Sequence, residues 1–331
     1  MSRTIIVPVH DVTISSDYGS EFRIDRVTLI SKDKIARLQS RFGISRSKWK
    51  LLKESFLDDR QERATTFGVV RDNSTREEDE LVGLVEEELH ILHLIQLPMS
   101  DKTILRAWSP YGSSLQRSQQ HYLITDDGTV GSRGKFKSGA IFPLNLSPSQ
   151  IRKDQLQLFG QMTKALRCSS FSSKWKRDFR RAMVLLGKSL TEASTEVAFL
   201  LACIGLETLL VCTESGQREQ MRKAVFLFSG LNHASRGKPI EDQFNEAYDK
   251  RCRFVHRGES DDIQLADARI VQEILFNVIA NIATHTEQFR SKQAVADVAR
   301  QIAAARELGI ENKYWPKKML YRHCVTTTAK R

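Results

Sequence analysis

The chain has 331 residues, 40% hydrophobic and 27% charged, with 51 Lys and Arg against 40 Asp and Glu and a net charge of +11. That length is enough for two domains and a sizeable core, and the composition is globular, not disordered or collagen-like. The longest apolar run, residues 197–206, falls far short of the roughly 18 residues a membrane span needs, and residues 1–12 mix charge with short apolar runs, so neither a membrane helix nor a signal peptide is expected.

From the N-terminus, residues 4–9 and 22–30 run apolar or alternate like strands. Ser31 is placed to cap a short helix that ends at Gly43, and residues 45–59 carry a helical pattern through Trp49, Leu52 and Phe56. Residues 61–71 match no single pattern, and the acid-rich residues 75–88 read as a loop followed by a strand or a helix. Residues 89–97 and 103–108 read as strands, and 121–124 and 136–142 follow with an Asp127–Gly128 turn between them. Pro143, Asn145, Ser147, Pro148 and Ser149 mark a boundary near residues 143–150. Beyond it the pattern is helical over 149–168, 174–190, 195–213, 218–228, 242–256, 262–290 and 291–308. Gly258 stops one helix, and Ser260 with Asp261 is placed to cap the next. The expected architecture is multidomain α+β. A strand-rich α+β domain covers residues 1–147, an all-α helical bundle 148–312 and a basic tail 313–331.

Charge is unevenly spread. Residues 1–150 hold 21 basic and 20 acidic side chains, residues 151–331 hold 30 and 20, and residues 152–188 alone hold 10 and 2. Six Lys or Arg and no acid lie from Lys313 onward. A basic half is the footprint of a nucleic-acid binder, although charge alone also fits a merely solvated surface. The five cysteines (Cys168, Cys203, Cys212, Cys252 and Cys324) form no C-x-x-C pair; their odd number and the lack of a secretion signal are expected of reduced thiols in a cytoplasmic protein.

The stretch richest in chemistry is Tyr248 to Gly258, YDKRCRFVHRG, with Arg251 and His256 five residues apart at the end of an amphipathic pattern. Histidine is the side chain most readily used as acid or base near neutral pH, and arginine's fork of donors suits phosphate. Together they can cut RNA without a metal: a base takes the ribose 2′-OH proton while a cation holds the phosphate as charge builds on it. On an ideal helix, five residues place the two side chains about 140° apart. For both to reach one phosphate the helix must end or distort at the motif, or a second subunit must contribute.

Tyr248, Arg251, Val255 and His256, with Leu206, Glu207, Leu209 and Leu210 before them and Arg181, Ala182, Gly187 and Leu190 earlier still, resemble the motifs of the HEPN superfamily, and within it the Apea-like HEPN domains, over about residues 155–290. Two positions depart from that pattern: Cys252 stands where a serine is usual, and Arg257 is inserted between His256 and Gly258. The resemblance implies a metal-independent endoribonuclease that leaves 2′,3′-cyclic phosphate ends and needs no cofactor. Arg251 would hold the scissile phosphate and His256 would act as acid or base. It also implies a homodimer in which the motifs of two protomers meet across helix 242–256, and a toxin-like role in prokaryotic antiviral defence or abortive infection. Residues 1–147 would then sense a phage trigger or bind a regulatory protein. In one HEPN class a tyrosine three residues beyond the histidine is modified by an antitoxin; Glu259 stands there, so that regulation is not expected. The alternative is a non-catalytic RNA- or protein-binding module of the same fold.

Glu207 interrupts an apolar helix, and a carboxylate there needs a partner; the segment of Arg251 and Arg253 is the expected source. Arg253 and Arg257 are candidates for flanking phosphates, or plain surface charge. Tyr248 and Phe244, four residues apart, suit packing rather than base stacking. Glu86, His90 and His93 have only loose metal-ligand spacing, and no metal is expected. Gly131 and Gly134, around Ser132 and Arg133, lack the Lys and Ser/Thr of a phosphate loop and read as a flexible turn. In the tail, Trp315 and Tyr321 are placed either to stack on RNA or to lie in a loose basic end.

Overall fold

The computed structural model describes residues 3–10, 12–41, 44–57, 64–72, 76–95, 117–125, 130–137, 144–149, 151–192, 194–229, 234–235, 238–310 and 319–322. The chain divides into two compact units, Met1–Leu92 with Ala107–Lys153, and His93–Arg106 with Asp154–Arg331. The architecture is mixed: an antiparallel sheet comes first and a mostly helical region follows.

The first unit contains β1 (Arg3–His10), β2 (Val12–Ile14), β3 (Glu21–Arg23), β4 (Thr28–Ser31), β5 (Ala64–Asp72), β6 (Arg117–Thr125), β7 (Val130–Lys137) and β8 (Leu144–Leu146). Six strands lie in the order β3-β4-β5-β1-β6-β7, and β2 pairs separately, in parallel, with β8. Helices α1 (Arg37–Arg41) and α2 (Arg46–Leu57) bring Leu38 and Trp49 into a cluster with Ile6, Ile30, Phe67 and Val69. Helix α3 (Glu78–Leu92) packs at Gly68, where an added Cβ would stand 2.9 Å from Val85 Cγ1. Gly68 alternates with Phe67 and Val69 along β5, so α3 covers the opposite face. With both faces covered, β1 is buried from Thr4 to Val9. That is why it reads as a nearly unbroken apolar run instead of alternating.

Three readings of this region are corrected. Residues 22–30 form the β3–β4 hairpin instead of one strand. Residues 89–97 do not begin a strand, because α3 runs to Leu92 and a 3-10 turn covers His93–Ile95. Leu81, Val85, Leu89 and Leu92 are all buried at helical spacing, and Glu78, Asp79 and Glu80 fill the first turn, where the helix dipole favours acids. Gly131 and Gly134 lie within β7, opposite Leu123 and Gln120, and not in a turn. Residues 103–108, the Asp127–Gly128 turn and residues 138–142 lie outside the described residues.

The second region holds α4 (Lys153–Ala165), α5 (Ser173–Thr191), α6 (Thr195–Leu210), α7 (Gln217–Ser229), α8 (Ile240–Arg257), α9 (Leu265–Thr284) and α10 (Lys292–Glu307), with a small ribbon of β9 (Ala234–Ser235) and β10 (Lys238–Pro239) before α8. Ser172, Ser194 and Ser291 cap α5, α6 and α10 by accepting backbone N–H bonds from Trp175, Val197 and Ala294. Helix α9 is buried from Ala268 to Ala283 and forms the centre of the bundle; one side of it is apolar, and the other carries buried Gln272, Glu273, Asn277 and Asn281, which must find partners. It meets α6 closely: a Cβ on Gly205 would fall 2.5 Å from Leu275 Cδ2. The cap of α9 is at Gln264, whose N–H donates to Asp267 Oδ2 at 2.7 Å, not at Ser260 with Asp261. Asp267 also receives Lys250 Nζ at 2.8 Å, which ties α8 to the start of α9.

The polar side chains of α9 hold the chain's last described segment. Asn281 donates to Leu320 O at 2.7 Å and accepts from Leu320 N at 2.9 Å. Asn277 repeats the pattern with Arg322 at 2.9 and 2.7 Å. The Tyr321 hydroxyl donates to Glu273 Oε1 at 2.9 Å, and Arg322 reaches Asp154 at 2.9 Å. Tyr321 is thus engaged within the bundle and not displayed for stacking, and Trp315 lies outside the described residues. Among the described residues no helix is long and apolar enough to cross a membrane.

Candidate functional site

Helix α8 buries Ile240, Gln243, Phe244, Ala247 and Tyr248, the i, i+3, i+4, i+7, i+8 stripe of a helix packed on a core. The next position on that stripe is Arg251. Its side chain is only 14% exposed and faces Glu207 of α6, itself 19% exposed. One guanidinium nitrogen, Nη2, lies 2.8 Å from Glu207 Oε1 and donates to Oε2 at 2.9 Å. Oε1 is close but out of line, and has no hydrogen bond of its own. Arg251 Nε is also buried without a hydrogen-bond partner. Charge pairing is therefore met, while the buried Nε donor stays unused.

Tyr248 forms the floor of this arrangement. Its ring stacks on Phe244 at 5.7 Å and lies 5.8 Å from the Arg251 guanidinium carbon. Burial and the Glu207 charge push the Tyr248 phenol up, so it stays neutral. Burial, reinforced by Glu207, also pushes the Cys203 thiol up. Burial opposes the charge on Arg251, but Glu207 and Tyr248 outweigh it and its pKa is raised.

His256 lies elsewhere on the helix. Helix α8 continues past the motif to Arg257 and ends at Gly258, whose φ of 73° lets its N–H bond Phe254 O at 2.9 Å. The helix therefore does not break between Arg251 and His256, and the two side chains project about 140° apart. Within the chain the helix does not bring them together. His256 is exposed on the last turn, next to Val255, which is 47% exposed. Arg253 pairs with Asp262, and Arg257 lies 3.9 Å from Glu259, so both belong to the exposed rim of the helix end.

Other side chains singled out from sequence do not join this site. Among the described residues no three His, Cys, Asp or Glu converge as a metal site, and His93 is buried in its 3-10 turn. A cavity of about 380 Å³ opens between the end of α6, the start of α7 and α10, lined by Cys212, Gln220, Lys223 and Arg300; Arg251 and His256 are not part of it. The charged network of Arg222, Glu241 and Arg306, with contacts of 2.7 and 3.0 Å, joins α7, α8 and α10 and was not apparent from the sequence pattern. No protein-family model, curated protein or solved structure matches this chain.

Proposed function

We propose that the chain is a metal-independent endoribonuclease of the HEPN type, acting as a toxin-like effector in prokaryotic antiviral defence, with residues 1–147 receiving the trigger or a regulatory protein in the cytoplasm. The observation that supports it is Arg251: a half-buried guanidinium braced by Glu207, with its Nε donor unmet and an exposed histidine on the same helix end. Such an arginine is rigid and charged, as a phosphate-holding group must be. In this reading His256 takes the 2′-OH proton or protonates the 5′-oxygen as it leaves. Arg251 stabilises the charge on the phosphorane between them, and the products carry 2′,3′-cyclic phosphates. Because α8 does not break at the motif, one phosphate is served by two protomers packed through helix 242–256, with Val255 part of the apolar contact. The test is cleavage of tRNA and total RNA in EDTA by the wild type, Arg251→Ala and His256→Ala. Cleavage by the wild type alone supports the reading, and equal cleavage by all three refutes the assignment.

A second reading rests on the same pair. Glu207 already neutralises Arg251 within one chain, which suits a non-catalytic RNA- or protein-binding module whose arginine is structural. Toxicity in cells that His256→Ala abolishes would decide for the nuclease.

A further inference from the structure

On α5, the exposed basic residues are Lys174, Arg177, Arg181 and Lys188. At 100° per residue they fall within an arc of about 60° and extend along about 21 Å of helix. Among the described residues the side chains of the four take part in no ion pair or hydrogen bond. The acid beside them, Asp178, is directed to Lys292 of α10 at 3.9 Å.

Helix stability does not account for this stripe. Lys174 occupies the first turn, which holds no acid and where the helix dipole opposes a cation. Lys174 with Arg177, and Arg177 with Arg181, are like-charge pairs at i,i+3 and i,i+4, which weaken a helix. A polyanion laid along the face would relieve that repulsion. We infer that Lys174, Arg177, Arg181 and Lys188 form a track for the sugar–phosphate backbone of single-stranded RNA, separate from the Arg251 and His256 motif. RNA as the occupant rests on the function proposed above. The charge complementarity and the absence of an exposed large apolar or aromatic side chain on α5 call for a backbone contact without base reading.

The test is fluorescence anisotropy with a labelled 2′-O-methyl oligonucleotide, across salt, on the full chain. Each phosphate contact on a single strand contributes about 0.7 to the slope of log K against log salt. Replacing all four residues by glutamine is therefore expected to flatten the slope by about 2.8, and Arg177→Gln or Arg181→Gln alone by about 0.7. Arg177→Lys should retain the wild-type slope. Arg177→Gln should melt no lower than wild type, because it removes repulsion; a structural role would lower the melting point instead. An unchanged slope in the fourfold variant overturns the inference and leaves a solvated face. So does binding to phosphatidylserine vesicles without binding to RNA. The 2′-O-methyl probe has no 2′-OH to attack, so this result is independent of cleavage. A chain that fails to cut RNA but shows the slope keeps the track, and one that cuts RNA with the slope unchanged loses only the track.

Discussion

Removing Glu207 should destabilise the helical unit far more than removing the whole Arg251–Glu207 pair. Two unit charges about 4 Å apart attract by about 4 kcal/mol at the effective dielectric near a protein surface. Desolvating both takes back a similar amount, so the intact pair adds little net stability. Breaking it strands a charge. For full burial that costs about 3–5 kcal/mol, and the residual exposure of 14% for Arg251 and 19% for Glu207 reduces the expectation to about 2–3 kcal/mol. Glu207→Leu and Arg251→Met should each lose that much. The Glu207→Leu/Arg251→Met double variant, which strands neither charge, should return to within about 1 kcal/mol of wild type, a coupling of about 3 kcal/mol or more. Urea unfolding followed by circular dichroism reads the difference as midpoint shifts. Single variants within about 0.5 kcal/mol of wild type, with an additive double, would refute the view that α8 is braced by this ion pair.

Gly205→Ala places a methyl 2.5 Å from Leu275 Cδ2 inside a packed core, and should lower stability by about 1–3 kcal/mol in the same unfolding assay. Asn281→Ala removes both bonds to Leu320, costs about 2 kcal/mol and should strip the Leu320 amide of its hydrogen-exchange protection. Glu219 is held at about 2, against an ordinary 4.5, chiefly by its hydrogen bond from Arg222. Its contribution to stability is thus present above the ordinary value and lost as pH falls toward 2. Carboxyl NMR should show that low titration, and Arg222→Gln should return it toward 4.5.

Much of the helical unit was legible because its helices carry clear punctuation. The Gly258 stop is such a signal, whereas the serines that cap α5, α6 and α10 were not singled out. The errors fell where local signals conflict. The apolar end of α3 has the length and content of a strand, and only the buried spacing from Leu81 onward reveals a helix. Within the site, Glu207 stood out as a carboxylate in an apolar run. That Arg251 extends the buried stripe of α8, while His256 points away from it, follows from the helix continuing to Arg257. Asn277 and Asn281 were overlooked because two amides in an apolar helix carry no sign of the distant segment, residues 320–322, that they bind.

The most direct measurement is the chemistry of the ends left on RNA. A 5′-labelled RNA is incubated in EDTA with the wild type, Arg251→Ala and His256→Ala, and the new 3′ ends are identified by mass spectrometry and by their sensitivity to a cyclic phosphodiesterase. The account predicts 2′,3′-cyclic phosphates from the wild type and none above background from either variant. Products bearing 3′-hydroxyls, or cyclic phosphates that persist undiminished in both variants, would contradict it.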